Sequence, residues 1–334
     1  MSGQPIVEKG QSAEENQVSS SSFQEPLLCS FDTEKSEPSD VEIIIRLSDD
    51  NQAIGRKRLR GVTKGQIDIA PYLRSAVEPK LPNQVSTCKE IDCGSQIRVY
   101  LECDGVVSER RRYIAAKADL DLDYQPLSEQ IAHRTMAHDE FDIISYFAYP
   151  EIVVEVLVEA YGRSYSYMTI RPESGGQRSV AITALPFDEK PDELKVSIKV
   201  DGVVESTYHY QIKPNLKGAR RLAWLNANLA PELYTFPLRK SILIKSARQH
   251  MATVWGKEAA SVEQQGELKL LSAYEPEAQI EALGGILSSP KIWLVKGSAP
   301  QRIELQAERV MTMPCDRMGI MEVDICAAVE GEKL

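Results

Sequence analysis

Residues 97–107 read IRVYLECDGVV, and residues 194–204 read LKVSIKVDGVV. In both stretches apolar residues alternate with polar ones, and each stretch runs into an Asp-Gly pair. Side chains on a strand point to opposite faces at successive residues, so this alternation predicts half-buried strands. Asp-Gly tolerates the positive φ angles of a tight hairpin turn. The two stretches therefore predict an antiparallel β unit that occurs twice in the chain.

The residues before the first hairpin predict three further strands. VEIIIRL at 41–47 is predicted to be a strand, and the basic run at 56–60 is predicted to be a second strand or a loop. GQIDIAPYL at 65–73 is the third, with Pro71 restricting it to a strand end or a sheet edge.

Similar element order around the two hairpins predicts the domain organisation. Residues 41–123 are expected to form an antiparallel β-sandwich of immunoglobulin-like size, and residues 150–216 to form its second copy. Residues 124–149 lack this rhythm and are predicted to be a crossover, in which Ser128 could cap a short helix ending near Ala137.

The last part of the chain, residues 217–330, is predicted to be a β barrel or sandwich of about six strands with one inserted helix. The helix is expected at 276–289, because Pro276 suits a first turn and Pro290 ends the segment. Its apolar stripe has helical spacing and consists of Ile280, Leu283 and Leu287. The predicted fold class is therefore mainly β, with two repeated sandwich domains and a C-terminal one-helix β domain.

Composition fits a soluble globular protein, with 43% apolar and 26% charged residues and a net charge of −10. Residues 1–40 hold eight acidic residues against Lys9 and Lys35, and this Ser-rich segment is predicted to be a flexible arm. Its hydrophobic residues could add to a neighbouring surface; they are Phe23, Leu27, Leu28 and Phe31. The acidic balance does not favour nucleic acid as a partner.

Neither a membrane span nor secretion is predicted. No apolar run approaches the roughly 18 residues that a bilayer-crossing helix needs. The N-terminus lacks a basic start followed by a hydrophobic stretch, so the six cysteines are expected to stay reduced. Synthesis in the cytoplasm follows.

The residue types that carry catalysis or metal binding do not form a recognisable motif. Cys88, Cys93 and Cys103 have no fourth ligand nearby, and free cysteines commonly pack as small hydrophobes. His133, His138, Asp139 and Glu140 look like a metal or acid/base group. The two histidines, five residues apart, would lie about 140° from each other on a helix, so the group is not expected to converge on a metal. The sequence holds no nucleophile elbow, phosphate-binding glycine loop or HExxH. No catalytic residue, metal site or cofactor is predicted.

Two basic clusters are candidate interface residues. Strand alternation places Arg56, Arg58 and Arg60 on one face, and it does the same for Arg110 and Arg112. Such faces can simply be solvated. They can also dock an acidic subunit, for example the acidic arm of a neighbouring copy.

The three tryptophans are further candidates for an interface. Trp224, Trp255 and Trp293 all lie in the predicted third domain. Aromatic residues there can fill a core, or they can form an exposed row that binds carbohydrate or a subunit.

Several short motifs of the third domain resemble a known family. They are RLAWLN at 221–226, YTF at 234–236, the 268–274 strand, and SPKIW at 289–293 after the predicted helix. Together with the preceding sandwich domains, over about residues 41–326, they look like tail-associated structural proteins of phages and prophages of Bacteroides-like bacteria. The resemblance implies a place in a virion tail or baseplate and a one-helix β fold like that of tail-tube and distal-tail proteins.

These observations predict a non-enzymatic structural protein that acts through subunit contacts. Its expected partners are other tail or particle subunits, including copies of itself, and its expected location is the virion, after assembly in the bacterial cytoplasm. The alternative is a carbohydrate- or surface-binding β-sandwich module. A hydrolase would need carboxylates converging in a cleft, which the sequence does not locate.

Overall fold

The computed structural model describes residues 7–8, 26–33, 36–93, 96–114, 122–172, 175–187, 190–216, 218–295, 299–305, 311–312 and 318–328. Strands dominate these residues and the helices are two, so the predicted mainly β class is confirmed. The chain is described below as a first unit (26–114), a second unit (122–216) and a third unit (218–328).

The elements up to the end of the first unit are β1 (Val7–Glu8), β2 (Leu28–Asp32), β3 (Ser39–Leu47), β4 (Ala53–Val62), β5 (Lys64–Asp68), α1 (Ala70–Ala76), β6 (Lys89–Ile91), β7 (Gln96–Cys103), β8 (Val106–Val107) and β9 (Arg111–Ile114). One sheet has the order β1-β2-β5, and the other has the order β4-β3-β7-β8 with β9 also on β7. Their facing apolar residues form the core between the two sheets.

The second unit contains β10 (Tyr124–Pro126), β11 (His133–Ala137), β12 (Phe141–Ala148), β13 (Val154–Ala160), β14 (Arg163–Ile170), β15 (Gly176–Thr183), β16 (Glu193–Val200) and β17 (Val203–Lys213). Its sheets have the orders β10-β12-β15-β6 and β11-β17-β16-β13-β14. β6 comes from the first unit, so the two units share a sheet. β11 runs parallel to β17, whereas the other pairs in these two sheets are antiparallel.

The third unit contains β18 (Arg220–Leu225), β19 (Pro231–Phe236), β20 (Leu238–Thr253), β21 (Gly256–Leu271), β22 (Glu275–Pro276), α2 (Glu277–Ser288), β23 (Ile292–Val295), β24 (Gln301–Leu305), β25 (Met311–Thr312), β26 (Met318–Gly319) and β27 (Met321–Ala328). The main sheet has the order β19-β18-β23-β24-β27-β21-β20, with β25 on β27. Only Pro237 separates its two outermost strands along the chain, so the sheet must curl to bring its edges together. α2 packs its buried residues into this curve, and it lies within one residue of the predicted bounds at each end.

The strand orders repeat between the first two units. β4-β3-β7-β8 corresponds to β14-β13-β16-β17, and β2-β5 corresponds to β12-β15. The two Asp-Gly pairs occupy equivalent turns with positive φ, 47° and 84° at Asp104-Gly105 and 49° and 84° at Asp201-Gly202. Each hairpin therefore has the type of turn that its sequence predicts.

Each turn aspartate also ties its hairpin to the neighbouring strand in the same way. The Asp104 carboxylate accepts the Glu42 backbone N–H at 3.1 Å, and the Asp104 N–H donates to the Glu42 carbonyl at 3.2 Å. The Asp201 carboxylate accepts the Val153 N–H at 3.0 Å, and its own N–H donates to the Val153 carbonyl, also at 3.0 Å. The repeat extends to this detail of hydrogen bonding.

Three expectations for residues 1–149 differ from the structure. GQIDIAPYL is not a single strand, because β5 ends at Asp68 and Pro71 lies in the first turn of α1, where its missing N–H is not needed. The crossover 124–149 is not helical near Ser128 but contains β10, β11 and β12. The arm 1–40 includes β2, whose alternating Cys29 and Phe31 are buried in the core. Phe23 lies outside the described residues.

The apolar core of the first unit continues into the other two units. It includes Phe141 and Ile143 of β12 and Leu225 and Trp293 of the third unit. The buried Lys291 ammonium donates to the Val77 carbonyl at 2.5 Å and pairs with Glu78. These contacts hold the three units against one another.

Candidate functional site

The third unit extends a two-stranded hairpin far beyond its sheet. β20 and β21 pair along their whole length of 16 residues each, from Leu238 opposite Leu271 to the turn at Val254 and Trp255. β27 accompanies β21 only along the inner part of the hairpin. In the part of the chain that the structure describes, residues 246–264 have no other strand partner. This outer ribbon projects roughly 25 Å at about 3.3 Å per residue.

Apolar side chains lie at the tip of the hairpin. Val254 is 97% exposed and Trp255 is 89% exposed, while Met251 on β20 is also more than half exposed. Gly256 follows them with a φ of 115°, which closes the turn. A tryptophan and a valine that point into solvent together are a small apolar patch of the kind that marks a binding surface.

The three tryptophans named as candidates divide into two classes. Trp224 on β18 is fully buried and Trp293 on β23 is 5% exposed, so both belong to the core. Trp255 alone of the three is exposed. They therefore do not form a row on the surface of the third unit.

The two basic clusters lie on the outer face of one sheet of the first unit. Arg56 and Arg58 on β4 stand opposite Ile44 and Glu42, and Arg58 pairs with Asp40 at 3.1 Å. Arg60, also exposed, lies two residues further along β4, beside its register shift. β4 is an edge strand of the sheet.

The second cluster lies at the other side of that face, on and before β9. The Arg110 guanidinium stands 5.8 Å from the centre of the Tyr100 ring, and Arg112 stands opposite Arg98 on β7. Burial lowers the pKa of Arg112, and the positive charges of Arg98 and Arg178 lower it further. β3 and β7 separate the two clusters, a distance of roughly 14 Å.

A cleft of about 910 Å³ lies between the second and third units. Its floor is the outward face of β11, β17 and β16. Its wall comes from the root of the hairpin and from the segment before α2, with Pro237, Ala273 and Pro276. The exposed apolar side chains around it are Tyr161, Leu216 and Tyr274.

A row of polar side chains crosses the cleft floor. His133 on β11 and His209 on β17 stand opposite each other in the parallel pair, with their rings stacked at 5.1 Å. Lys195 on β16 stands opposite His209 and pairs with Glu159 at 3.2 Å. Gln211 is exposed on the same floor.

A network of buried charges lies beneath the floor and joins the second unit to the third. Asp142 on β12 accepts hydrogen bonds from Arg134 at 2.8 Å, from Tyr210 at 3.0 Å and from Arg221 of β18 at 3.1 Å. Burial opposes the charge on Arg134, but Tyr210 and Asp142 raise the pKa of its guanidinium above the ordinary value. A buried charge cluster of this kind is costly unless every partner is present.

The same network continues to a second buried carboxylate. Glu232 on β19 accepts hydrogen bonds from the Glu129 N–H at 2.7 Å, from Gln130 at 2.7 Å and from Asn226 at 3.1 Å. Burial raises the pKa of Glu232. Gln130 in turn accepts a hydrogen bond from Gln279 of α2, so the segment before β11 is held by the third unit.

Of the residues considered as metal ligands, Glu140 pairs with Arg221 of this network at 3.4 Å. Cys88, Cys93 and Cys103 are not disulfide-bonded, and burial raises the pKa of Cys93 to about 11. His138 is in the turn after β11, and His133 stacks on His209 instead. Across the described ranges, no group of three or more His, Cys, Asp or Glu side chains is arranged to hold a metal ion.

Neither helix described in the structure is long and apolar enough to cross a membrane. A scan against protein-family models finds no match, and a search of curated protein sequences finds none either.

Sequence reasoning missed the length of the hairpin and the cleft at its root. The prediction of about six strands for residues 217–330 does not contain one long hairpin at 238–271, although Val254-Trp255-Gly256 has the character of a turn between two long strands. Trp255 was predicted as an interface candidate together with Trp224 and Trp293, but the prediction did not say that Trp255 alone of the three is exposed. The cleft arises from the packing of two units and has no local signal.

Proposed function

We propose that this chain is a non-enzymatic structural subunit of a phage tail or baseplate-like assembly and acts through contacts with other subunits. The observation that carries the proposal is the outer ribbon, residues 246–264, with Val254 and Trp255 exposed at its tip. The resemblance of motifs in the third unit to those of tail-associated structural proteins supports a phage tail or baseplate as the particle.

The ribbon supports an assembly role because of its limited local stability. An isolated two-stranded hairpin is marginally stable in water, and an unpaired edge is a template for pairing with another chain. A partner that packs on the ribbon would satisfy its edges and cover its apolar tip. Tryptophan is also among the residues that contribute most to binding at protein interfaces.

The basic face of the first unit offers a second contact surface. Arg56, Arg58 and Arg60 are exposed on an edge strand, in a chain whose net charge is −10. Attraction between this face and an acidic surface of a neighbour would orient the subunits during assembly and would weaken with salt. The Tyr72 ring of α1 packs directly against Gly55 of β4 and leaves no space for a side chain there. This part of β4 is therefore covered.

The test is assembly of the purified full chain, alone and mixed with the products of adjacent genes, followed by sedimentation velocity. We expect species larger than the monomer in at least one mixture, and we expect Trp255→Ser to remove them. Val107→Ser, a change at another exposed valine, is the matched control and should assemble normally. Monomers in every mixture, or full assembly of Trp255→Ser, would contradict the proposal.

Carbohydrate or surface binding is a second candidate, and one observation favours it. Tyr161, Tyr165 and Tyr167 are exposed on or beside the edge strand β14 of the second unit. Exposed aromatic rings can stack on sugar rings. Glycan binding by the full chain that is lost in Tyr167→Ala would support this candidate, and the absence of binding across a glycan array would reject it.

A further inference from the structure

The cleft and the hairpin tip of one molecule are too far apart to meet. Pro237, which lines the cleft, directly precedes β20, and Ala273 follows β21 by two residues, so the cleft lies at the root of the hairpin. The tip is at the other end of a strand of 16 residues. At about 3.3 Å per residue, root and tip are roughly 50 Å apart.

Tip and cleft match in size and in chemical character. A cleft of about 910 Å³ has room for a tight turn bearing a valine and a tryptophan. The apolar side chains at its edge, Tyr161, Leu216 and Tyr274, are each more than half exposed. Both surfaces would lose exposed apolar area on contact, which is the main favourable contribution to association.

Charge also favours a second copy of this chain as the occupant. Residues 238–253, the first strand of the hairpin, contain four basic residues and no acidic one, whereas the whole chain has a net charge of −10. Lys257 is exposed beside Trp255, and Glu193 is exposed on the cleft floor. Attraction between the basic strand and the net-acidic remainder of another copy would favour their encounter, whereas the side chains that line the cleft balance in charge, with Glu159, Glu193 and Glu275 against Arg134, Lys195 and Lys213.

From these observations we propose that the cleft between the second and third units is the receptor for the Val254–Trp255 tip of a second copy. The inference rests on the proposed function and names the partner. Because tip and cleft are different surfaces, the contact is heterologous and leaves one free tip and one free cleft at the ends of every open chain of subunits. Copies would repeat at about the root-to-tip length, roughly 50 Å, and form a ring or a filament.

The test uses two variants of the full chain that each lack one side of the contact. Val254→Ser/Trp255→Ser removes the tip, and Gln211→Trp fills the cleft from its exposed floor. Thr169→Trp is the matched control, since Thr169 is exposed on the same sheet but does not line the cleft. Circular dichroism of each variant verifies folding before sedimentation velocity.

We expect the wild type and Thr169→Trp to form higher oligomers alone, and each of the two interface variants to sediment as a monomer. An equimolar mixture of the two variants should form dimers and nothing larger, because one functional tip meets one functional cleft. This mixed dimer also shows that both variants are folded.

Two results would overturn the inference while leaving the proposed function in place. One is normal assembly of Gln211→Trp with loss of assembly in the tip variant, because the tip then binds elsewhere. The other is a wild type that is monomeric alone but assembles with a neighbouring gene product in a Trp255-dependent way. Failure of every assembly would instead overturn the proposed function, and the inference with it.

Discussion

Two tryptophans of the third unit have different roles: Trp224 fills the core, and Trp255 is exposed at the hairpin tip. Substitution distinguishes the two roles. Trp224 is fully buried, so Trp224→Ala should cost about 3–5 kcal/mol of unfolding free energy through lost burial and a residual cavity. Trp255→Ala should change stability by less than about 0.5 kcal/mol, because its side chain is 89% exposed. Urea unfolding of monomeric protein measures both. Equal costs would contradict the division.

The turn aspartates of the repeated hairpins should be equivalent in energy as well as in geometry. Asp104→Ala and Asp201→Ala each lose one hydrogen bond from a backbone N–H to a carboxylate, and each places alanine at positive φ. Each should cost about 1–2 kcal/mol, and Asn at either position should cost less because it keeps an acceptor and tolerates this backbone. Thermal melts of the four variants provide the comparison. A large cost at only one turn would argue against equivalence.

Glu275 gives stability a predictable dependence on pH. Burial raises the pKa of its carboxyl, which accepts a hydrogen bond from the Tyr234 hydroxyl at 2.8 Å. The folded state therefore holds this proton more tightly than the unfolded state. The associated stability is fully present below the ordinary carboxyl pKa and is lost as pH rises through the raised value.

Glu275→Gln should remove this loss, so the variant should gain stability relative to the wild type as the pH rises through that window. Melting temperatures measured at closely spaced pH values test it. Glu277→Gln, an exposed change in the first turn of α2, should keep the wild-type slope. The same slope in Glu275→Gln would show that another group is responsible.

At the scale of elements, alternation and turn chemistry made the β-rich fold predictable. The Asp-Gly pairs, the strand at 41–47 and the helix of the third unit are specified by residues that are close in sequence. α1 was missed because Ile67 and Ile69 continue a strand-like alternation up to Pro71, and only pairing with β2 shows that the strand ends at Asp68. Pairing over long sequence distances decides such cases.

The candidate site was harder to predict for the same reason. The basic residues could be named from sequence, but their position on one sheet face depends on the β4-β3-β7 order. The apolar neighbours of Trp224 are typical of a buried strand and Trp255-Gly256 is typical of a turn, so a local signal for the two roles was present. The cleft requires two units to pack, which periodicity does not encode.

At the scale of the whole molecule, the buried network around Asp142 should make the second and third units unfold together. Asp142→Ala would leave the guanidinium groups of Arg134 and Arg221 without their shared carboxylate, at a cost of about 3–5 kcal/mol. Asp40→Ala, which breaks an exposed pair with Arg58, should cost less than about 1 kcal/mol.

Differential scanning calorimetry distinguishes the outcomes. The wild type should show one main transition for these two units, and Asp142→Ala should lower it or divide it in two. A wild-type melt with two well-separated transitions, or an Asp142→Ala variant as stable as Asp40→Ala, would contradict the role assigned to the network.

The proposed assembly requires the outer ribbon, residues 246–264, to be a contact surface. Hydrogen–deuterium exchange of its backbone amides, in dilute monomer and in assembled protein, tests this directly. We expect fast exchange in the monomer, because a two-stranded ribbon has few stabilising contacts, and strong protection after assembly. The same exchange rates in both states would contradict the account.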